Sequence, residues 1–319
     1  MGHIMSVGHR FSVELHLPPA TISRLGQDRE EVVQRLPPPC PCDVHLVEDY
    51  PAARERWGRE LIEGGANYLC GVSGRRGLWF DLNGLHHDSH HIATVINIQG
   101  VNAVSGPGTS VDDLQQYRRN CPIHGTPFES RDGKDYFCSS CDFPWPPQNY
   151  LASNATPQNL LWLDGWRDSD GVVRQAIFTD DESEGVAAQT IGEARTNSID
   201  LTFYSSKQPK PQPKPVWRDR FLGGGDSECH TYGGGSKGIN REFLGGSTRS
   251  LEVAAGAKIV QGIYRDPENV DTFWSETAAG KIRLFFVPMA EVARIIASQS
   301  SGGGGSFLSR LKTGNSRIS

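Results

Sequence analysis

The sequence predicts an α+β, β-rich fold: an antiparallel sheet body with an inserted zinc ribbon and a C-terminal strand-strand-helix segment. Three observations predict it. Apolar residues recur with period 2 in many short runs bounded by Gly, Pro and Asn. Two ligand pairs, Cys121-Pro-Ile-His124 and Cys138-Ser-Ser-Cys141, are separated by thirteen residues. Runs with helical spacing are few and short.

Along the chain, Phe11, Val13, Leu15 and Leu17 alternate with polar residues as a half-buried strand, stopped by Pro18-Pro19. Residues 1–10 read as a tag-like or disordered start, with a second Met at position 5. A helix is predicted over 21–36, where Ile22, Leu25, Val32, Val33 and Leu36 share a face and Pro37 ends it. A second helix starts after Pro51 and runs through Trp57, Leu61 and Ile62 to the Gly64-Gly65 stop. Three strands follow at 68–72, 78–82 and 93–104, the last two separated by a histidine-rich loop over 86–91. Beyond the ribbon, 160–164 and 172–178 read as a hairpin. Thr179 and Glu182 form a capping box for a helix through Val186 to Ile191, and 199–204 is a further strand.

The composition changes abruptly after residue 206. Alternating prolines over 207–220 favour extended polyproline backbone, and three glycine clusters follow up to 246. The body is therefore assigned to 11–206 with the ribbon at 118–145, and 207–250 is a linker. Residues 251–299 supply strands at 251–264 and 281–287 and a helix at 290–298, and dock on the body because so few elements form no core alone. Residues 300–319 are a Gly-rich tether carrying a basic, apolar tail.

A net charge of −5, with 22% charged and 37% hydrophobic residues, argues against a chain built to coat nucleic acid or an anionic membrane surface. The apolar runs are too short to span a bilayer. Seven cysteines cannot all pair with one another, and their clustering points to metal binding in a reduced, cytoplasmic compartment.

Cys121, His124, Cys138 and Cys141 supply three thiolates and one imidazole on two tight turns, the donor set of a closed tetrahedral Zn²⁺ site. Four protein ligands leave no place for water, so the expected role is structural. A nucleic-acid-binding ribbon is the alternative. Arg118, Arg119, Arg131 and Lys134 are offset by Asp113, Glu129, Asp132, Asp135 and Asp142, which disfavours it.

A second metal set is His86, His87, Asp88, His90 and His91, which would make the chain a metal-dependent hydrolase. Its order matches no helical zinc-protease spacing, and such loops are commonly solvated turns. Cys40-Pro-Cys42 with His45 is a weaker case, and Cys70 on an apolar strand reads as core. In the tail, Phe307, Leu308 and Leu311 are apolar anchors, with Arg310 and Lys312 facing an acidic rim on a partner; the opposing reading is a disordered end. No phosphate loop or nucleophile elbow occurs.

Residues 77–206 and 251–287 resemble a family of uncharacterised bacterial proteins. The resemblance is carried by Trp79-Phe80-Asp81, the run from Val95 to Asn102, Trp145-Pro-Pro-Gln-Asn-Tyr-Leu151, Trp162-Leu-Asp-Gly-Trp166, Arg174-Gln175, Gly185-Val-Ala187 and Glu252-Val-Ala-Ala-Gly-Ala257. It implies a ribbon built into the β body and implies no activity. The expectation is a non-enzymatic, zinc-stabilised binding or scaffold protein acting through a protein partner or through self-assembly.

Overall fold

A computed structural model describes residues 3–20, 39–106, 112–117, 120–121, 124–130, 136–140, 145–168, 171–181, 184–186, 197–211, 251–259 and 261–302. The first half contributes β1 (Ile4–Val7), β2 (Arg10–His16), β3 (Val44–Leu46), α1 (Pro51–Trp57), β4 (Ala66–Val72), β5 (Gly77–Asp81), β6 (His90–Ile98) and β7 (Val101–Asn102). The middle adds β8 (Glu129–Ser130), β9 (Tyr136–Phe137), β10 (Tyr150–Ala152), β11 (Trp162–Leu163), β12 (Gly165–Arg167), β13 (Val173–Thr179) and β14 (Ser198–Pro209). The end adds β15 (Glu252–Lys258), α2 (Val270–Phe273), β16 (Gly280–Pro288) and α3 (Met289–Gly302).

These strands form two large sheets and one small one. The first runs β1-β2-β5-β13-β12, with β11 on β5 and β15 on β13; the second runs β10-β6-β14-β16-β4-β3, with β7 on β6. Pairing is antiparallel except for β16 on β4. Among the described residues the fold is β-rich, with antiparallel pairing in the first sheet, mixed pairing in the second, and few helices.

One core lies between the two sheets. Val13, Leu15, Leu78, Phe80 and Phe178 of the first meet Ile96, Ile98, Leu201, Phe203, Leu284 and Phe286 of the second. The period-2 alternation of β16 then serves two cores: Phe285 and Val287 point to the back, where they meet Trp57 of α1 and Val292 and Ile295 of α3. Trp57 stacks on Phe285 at 4.9 Å.

Farther along that back face, Val95, Tyr150 and Tyr204 pack with Trp274. Asp266, fully buried, ties this corner together. It accepts hydrogen bonds from Tyr150 Oη (2.6 Å), Trp274 Nε1 (2.7 Å) and Asn154 Nδ2 (2.9 Å). A buried carboxylate is tolerable because neutral donors surround it.

Several expected elements are redrawn. The opening residues are not a loose start: β1 pairs with β2, and Met5 is fully buried. The strand expected over 93–104 turns back at Gln99-Gly100, both at positive φ (51° and 82°), so that β6 and β7 form a two-residue hairpin. The expected hairpin partner 160–164 pairs instead with β5, through Trp162 and Leu163. The strand hairpinned with β13 is β12, and Asp168 closes that turn by accepting from Val172 N (2.9 Å) and Arg174 Nε (2.7 Å).

α1 stops at Trp57, short of Gly64, while α3 runs on through Gly302. β14 continues to Pro209, into the stretch expected as spacer. A bulge carries it, with Ser206 Oγ accepting from His91 N (3.1 Å) and donating to Gln208 O (2.6 Å). Proline fits at that strand's end because its missing N–H costs no interior ladder bond. The predicted helix 21–36, most of the helix after Thr179, residues 212–250 and the tail anchors Phe307, Leu308, Arg310, Leu311 and Lys312 lie outside the described residues.

Candidate metal centre

The centre is assembled from a tight turn and a short hairpin. After Tyr117, whose N–H bonds Pro147 O at 3.0 Å, the chain reaches Cys121. Cys121 N donates to Thr126 O and Gly125 N donates to Cys121 O, both at 2.8 Å, and Gly125 takes the positive φ (+67°) that this turn requires. His124 is thereby folded back over Cys121. β8 and β9 then pair Glu129 with Phe137 and return the chain to Cys138.

Two backbone amides point at sulfur: His124 N lies 3.4 Å from Cys121 Sγ, and Ser140 N lies 3.4 Å from Cys138 Sγ. Thr126 Oγ1 sits 2.9 Å from Cys138 Sγ. Such donors supply the outer hydrogen bonds that orient sulfurs around a metal. Trp145, fully buried, makes an edge contact with Tyr117 (centroids 5.4 Å apart) and with Phe128 walls the two cysteines.

His124 Nδ1 lies 3.7 Å from Cys121 Sγ and 3.6 Å from Cys138 Sγ. Tetrahedral zinc with ordinary Zn–S and Zn–N bonds sets a sulfur-to-nitrogen separation of about 3.6 Å. The three side chains are thus spaced as ligands of one ion, with Nδ1 as the nitrogen. Cys141, the fourth expected ligand, lies outside the described residues. The sequence missed the hydroxyl of Thr126, since no spacing rule marks it; it reaches Cys138 through the turn.

Among the described residues one other group of three brings ligand atoms within 4.8 Å of one another: Glu14, His16 and Asp81. They sit on the outer face of the first sheet, where Glu14 pairs with Asp81 and His16 with Trp79 across β2 and β5. His16 is buried and stacks on Trp79 at 3.9 Å. Its Nδ1 accepts the Cys40 N–H at 3.1 Å, so the neutral ring carries its proton on Nε2, the atom 3.6 Å from Glu14. A nitrogen holding a proton offers no lone pair to a metal, and metal-bound histidines donate, rather than accept, through the other nitrogen. Burial also lowers the His16 pKa, which keeps the ring neutral.

The histidine-rich segment is a 3-10 turn over Asn83–His87 followed by the start of β6. Asp88 is held by Arg10 through two hydrogen bonds of 2.8 Å. Lys210 Nζ donates to His86 O (2.8 Å) and Asp88 O (2.9 Å). Burial and then Lys210 lower the pKa of both His86 and His91. The segment's one carboxylate is therefore engaged by a guanidinium, and an incoming cation would meet two positive side chains. His86, His87, His90 and His91 do not converge with Asp88 into a ligand group of the kind formed by Cys121, His124 and Cys138.

No family model, no curated protein and no solved structure matches this chain. No helix among the described residues is long and apolar enough to cross a membrane.

Proposed function

We propose that the chain is a non-enzymatic binding or scaffold protein, stabilised by one structural Zn²⁺ on Cys121, His124, Cys138 and Cys141, and acting through protein contacts or self-association. The observation that carries the zinc reading is the tetrahedral spacing of His124 Nδ1 to two cysteine sulfurs, each already facing a backbone amide. Bound there, zinc supplies cross-linking between the turn and the hairpin; a site closed by four protein ligands leaves no open position for a reacting water.

Elemental analysis of the purified chain tests this reading. One zinc per chain, lost in Cys138→Ser and Cys141→Ser, is expected; an unchanged zinc content in those variants overturns it. The binding role is tested by light scattering and partner capture with a chain ending at Gly302, which keeps α3 intact. Interactions that all survive that deletion would remove Phe307, Leu308, Arg310, Leu311 and Lys312 from the interface.

A further inference from the structure

A cavity of about 410 Å³ opens where the chain crosses from the first sheet to the second. The connector leaves the edge of β2, with Leu17 N bonded to Cys40 O (2.8 Å) and Cys42 N to Leu15 O (3.0 Å), and then enters β3 on the other sheet. Its walls include Cys40 and Cys42 from the connector, Arg76 from the β4–β5 turn, and Met289, Val292 and Ile296 from α3. The floor is Gly71. A Cβ added there would lie 2.8 Å from Met289 Sδ, so the glycine makes room for sulfur.

Cys42 Sγ lies at this floor, 3.4 Å from Asp43 O and 3.9 Å from Gly71 O. The neighbouring residue on β4 is Cys70, fully buried. Register pairs Val44 with Cys70, which sets Cys42 diagonally across from it, and both cysteines belong to the core between the sheets. The two cysteine side chains are hydrogen-bonding neighbours on the same face of that strand pair. One thiol therefore faces the cavity and a second lies directly beneath it, shielded from solvent.

We propose that this cavity is a thiol–disulfide site for small hydroperoxides, with Cys42 the reacting thiol and Cys70 the resolving one. In the first step the Cys42 sulfur attacks the terminal oxygen of ROOH. An S–O bond forms, the O–O bond breaks, and the Cys42 proton goes to the departing alkoxide, giving ROH and a sulfenic acid. In the second step the Cys70 sulfur attacks Cys42, the S–S bond forms, the S–O bond breaks, and hydroxide leaves with the Cys70 proton as water. Two thiols are oxidised by two electrons, and one hydroperoxide is reduced to ROH and water.

The order of roles follows from position: Cys42 lines the cavity, whereas Cys70 is fully buried and does not. The Cys70 hydrogen bond lowers the Cys42 pKa, although burial and Asp43 oppose it, and the same contact together with burial holds Cys70 as a thiol. A shielded Cys70 is reached only by a sulfur already in contact with it. Reversible pairing of this kind suits a reducing compartment better than a permanent disulfide.

The test uses the full zinc-loaded chain, treated with a small excess of hydrogen peroxide, quenched with an alkylating agent and mapped by peptide mass spectrometry. A Cys42–Cys70 cross-linked peptide, with Cys40 still alkylated, is expected. In Cys70→Ser the product should stop at a Cys42 sulfenic acid trapped by a dimedone reagent. Cys42 recovered reduced and alkylated while Cys121, Cys138 or Cys141 oxidises would overturn the proposal, as would a Cys40–Cys42 product. The wild-type map stands even if a variant fails to fold.

Discussion

The sandwich between the sheets and the cysteine turn-and-hairpin are held by different means. In the sandwich, buried side chains such as Phe80, Trp166, Phe178 and Phe203 come from both sheets and interlock over a continuous core. In the hairpin, the buried set among the described residues is Tyr117, Cys121, Cys138 and Trp145, and half of it is cysteine. Apolar burial at about 25 cal/mol per Å² stabilises the first through many contacts. The second has, among the described residues, two aromatic walls and two-residue strands, little to offset the ordering of its backbone, and its Cys121, His124 and Cys138 are grouped so that they could hold a metal ion.

The largest expected effect breaks the hairpin alone. Structural zinc in small metal-held units contributes an apparent binding free energy of about 10–16 kcal/mol. Stripping the metal with a chelator, or making Cys138→Ser, should abolish amide-exchange protection around β8 and β9 while β6 and β14 keep theirs. Equal loss in β14 would show that the two regions fold as one unit.

The converse is Phe203→Ala. Phe203 is fully buried and stacks on Phe11 at 4.9 Å, so its truncation should cost about 3–5 kcal/mol in denaturant unfolding. Zinc should stay bound until the global transition. Release of zinc well before it would place part of the hairpin's support in the sandwich.

A third effect depends on pH. Burial raises the Asp164 pKa to about 6, and its Oδ1 has no hydrogen-bond partner among the described residues. The folded carboxyl keeps its proton in a range where the unfolded one, near 3.8, has lost it. Folded protein therefore binds more protons between these values, and stability falls as pH rises through that window, by roughly 3 kcal/mol in all. Asp164→Asn should recover most of that at pH 7 and change little below pH 4, as read from urea midpoints at the two pH values.

The smallest effect concerns the ion pair that joins β2 of the first sheet to the turn before β6 of the second. Arg10 is substantially exposed, so Arg10→Ala should cost about 1 kcal/mol or less. It also frees Asp88 beside the histidines. A second bound zinc in this variant, by elemental analysis, would mean that Arg10 alone had kept that segment from holding metal.

How much could be read in advance differs between the same two regions. Spacing alone named Cys121, His124, Cys138 and Cys141; the first three come together as a group that could hold a metal ion, and Cys141 lies outside the described residues. The β-rich character was equally visible in the alternation of β2 and β16. The turn at Gln99-Gly100 was hidden, since glutamine is an uncommon residue at positive φ and the apolar pattern runs straight through it. Met5 was hidden too, because four residues give too short a period to distinguish β1 from a loose start.

Cys70 shows the limit most clearly. Its apolar neighbours predict burial, and it is buried. Its placement diagonally across from Cys42, 28 residues earlier, arises from the pairing of β3 with β4 and has no local signature. The same holds for Asp266, which reads as a loop acid until Tyr150, Asn154 and Trp274 close around it.

Local chemistry and periodicity were thus enough to group Cys121, His124 and Cys138 and to specify most strand positions and the alternation that makes each strand two-faced. Packing in three dimensions chose which strands became neighbours: β16 entered between β14 and β4, and the 40–43 connector joined the sheets around a cavity. The reason is physical. A strand's own residues specify which face is apolar, but its hydrogen-bonding edges are nearly alike along any chain, so partner choice is settled only when the whole core is filled.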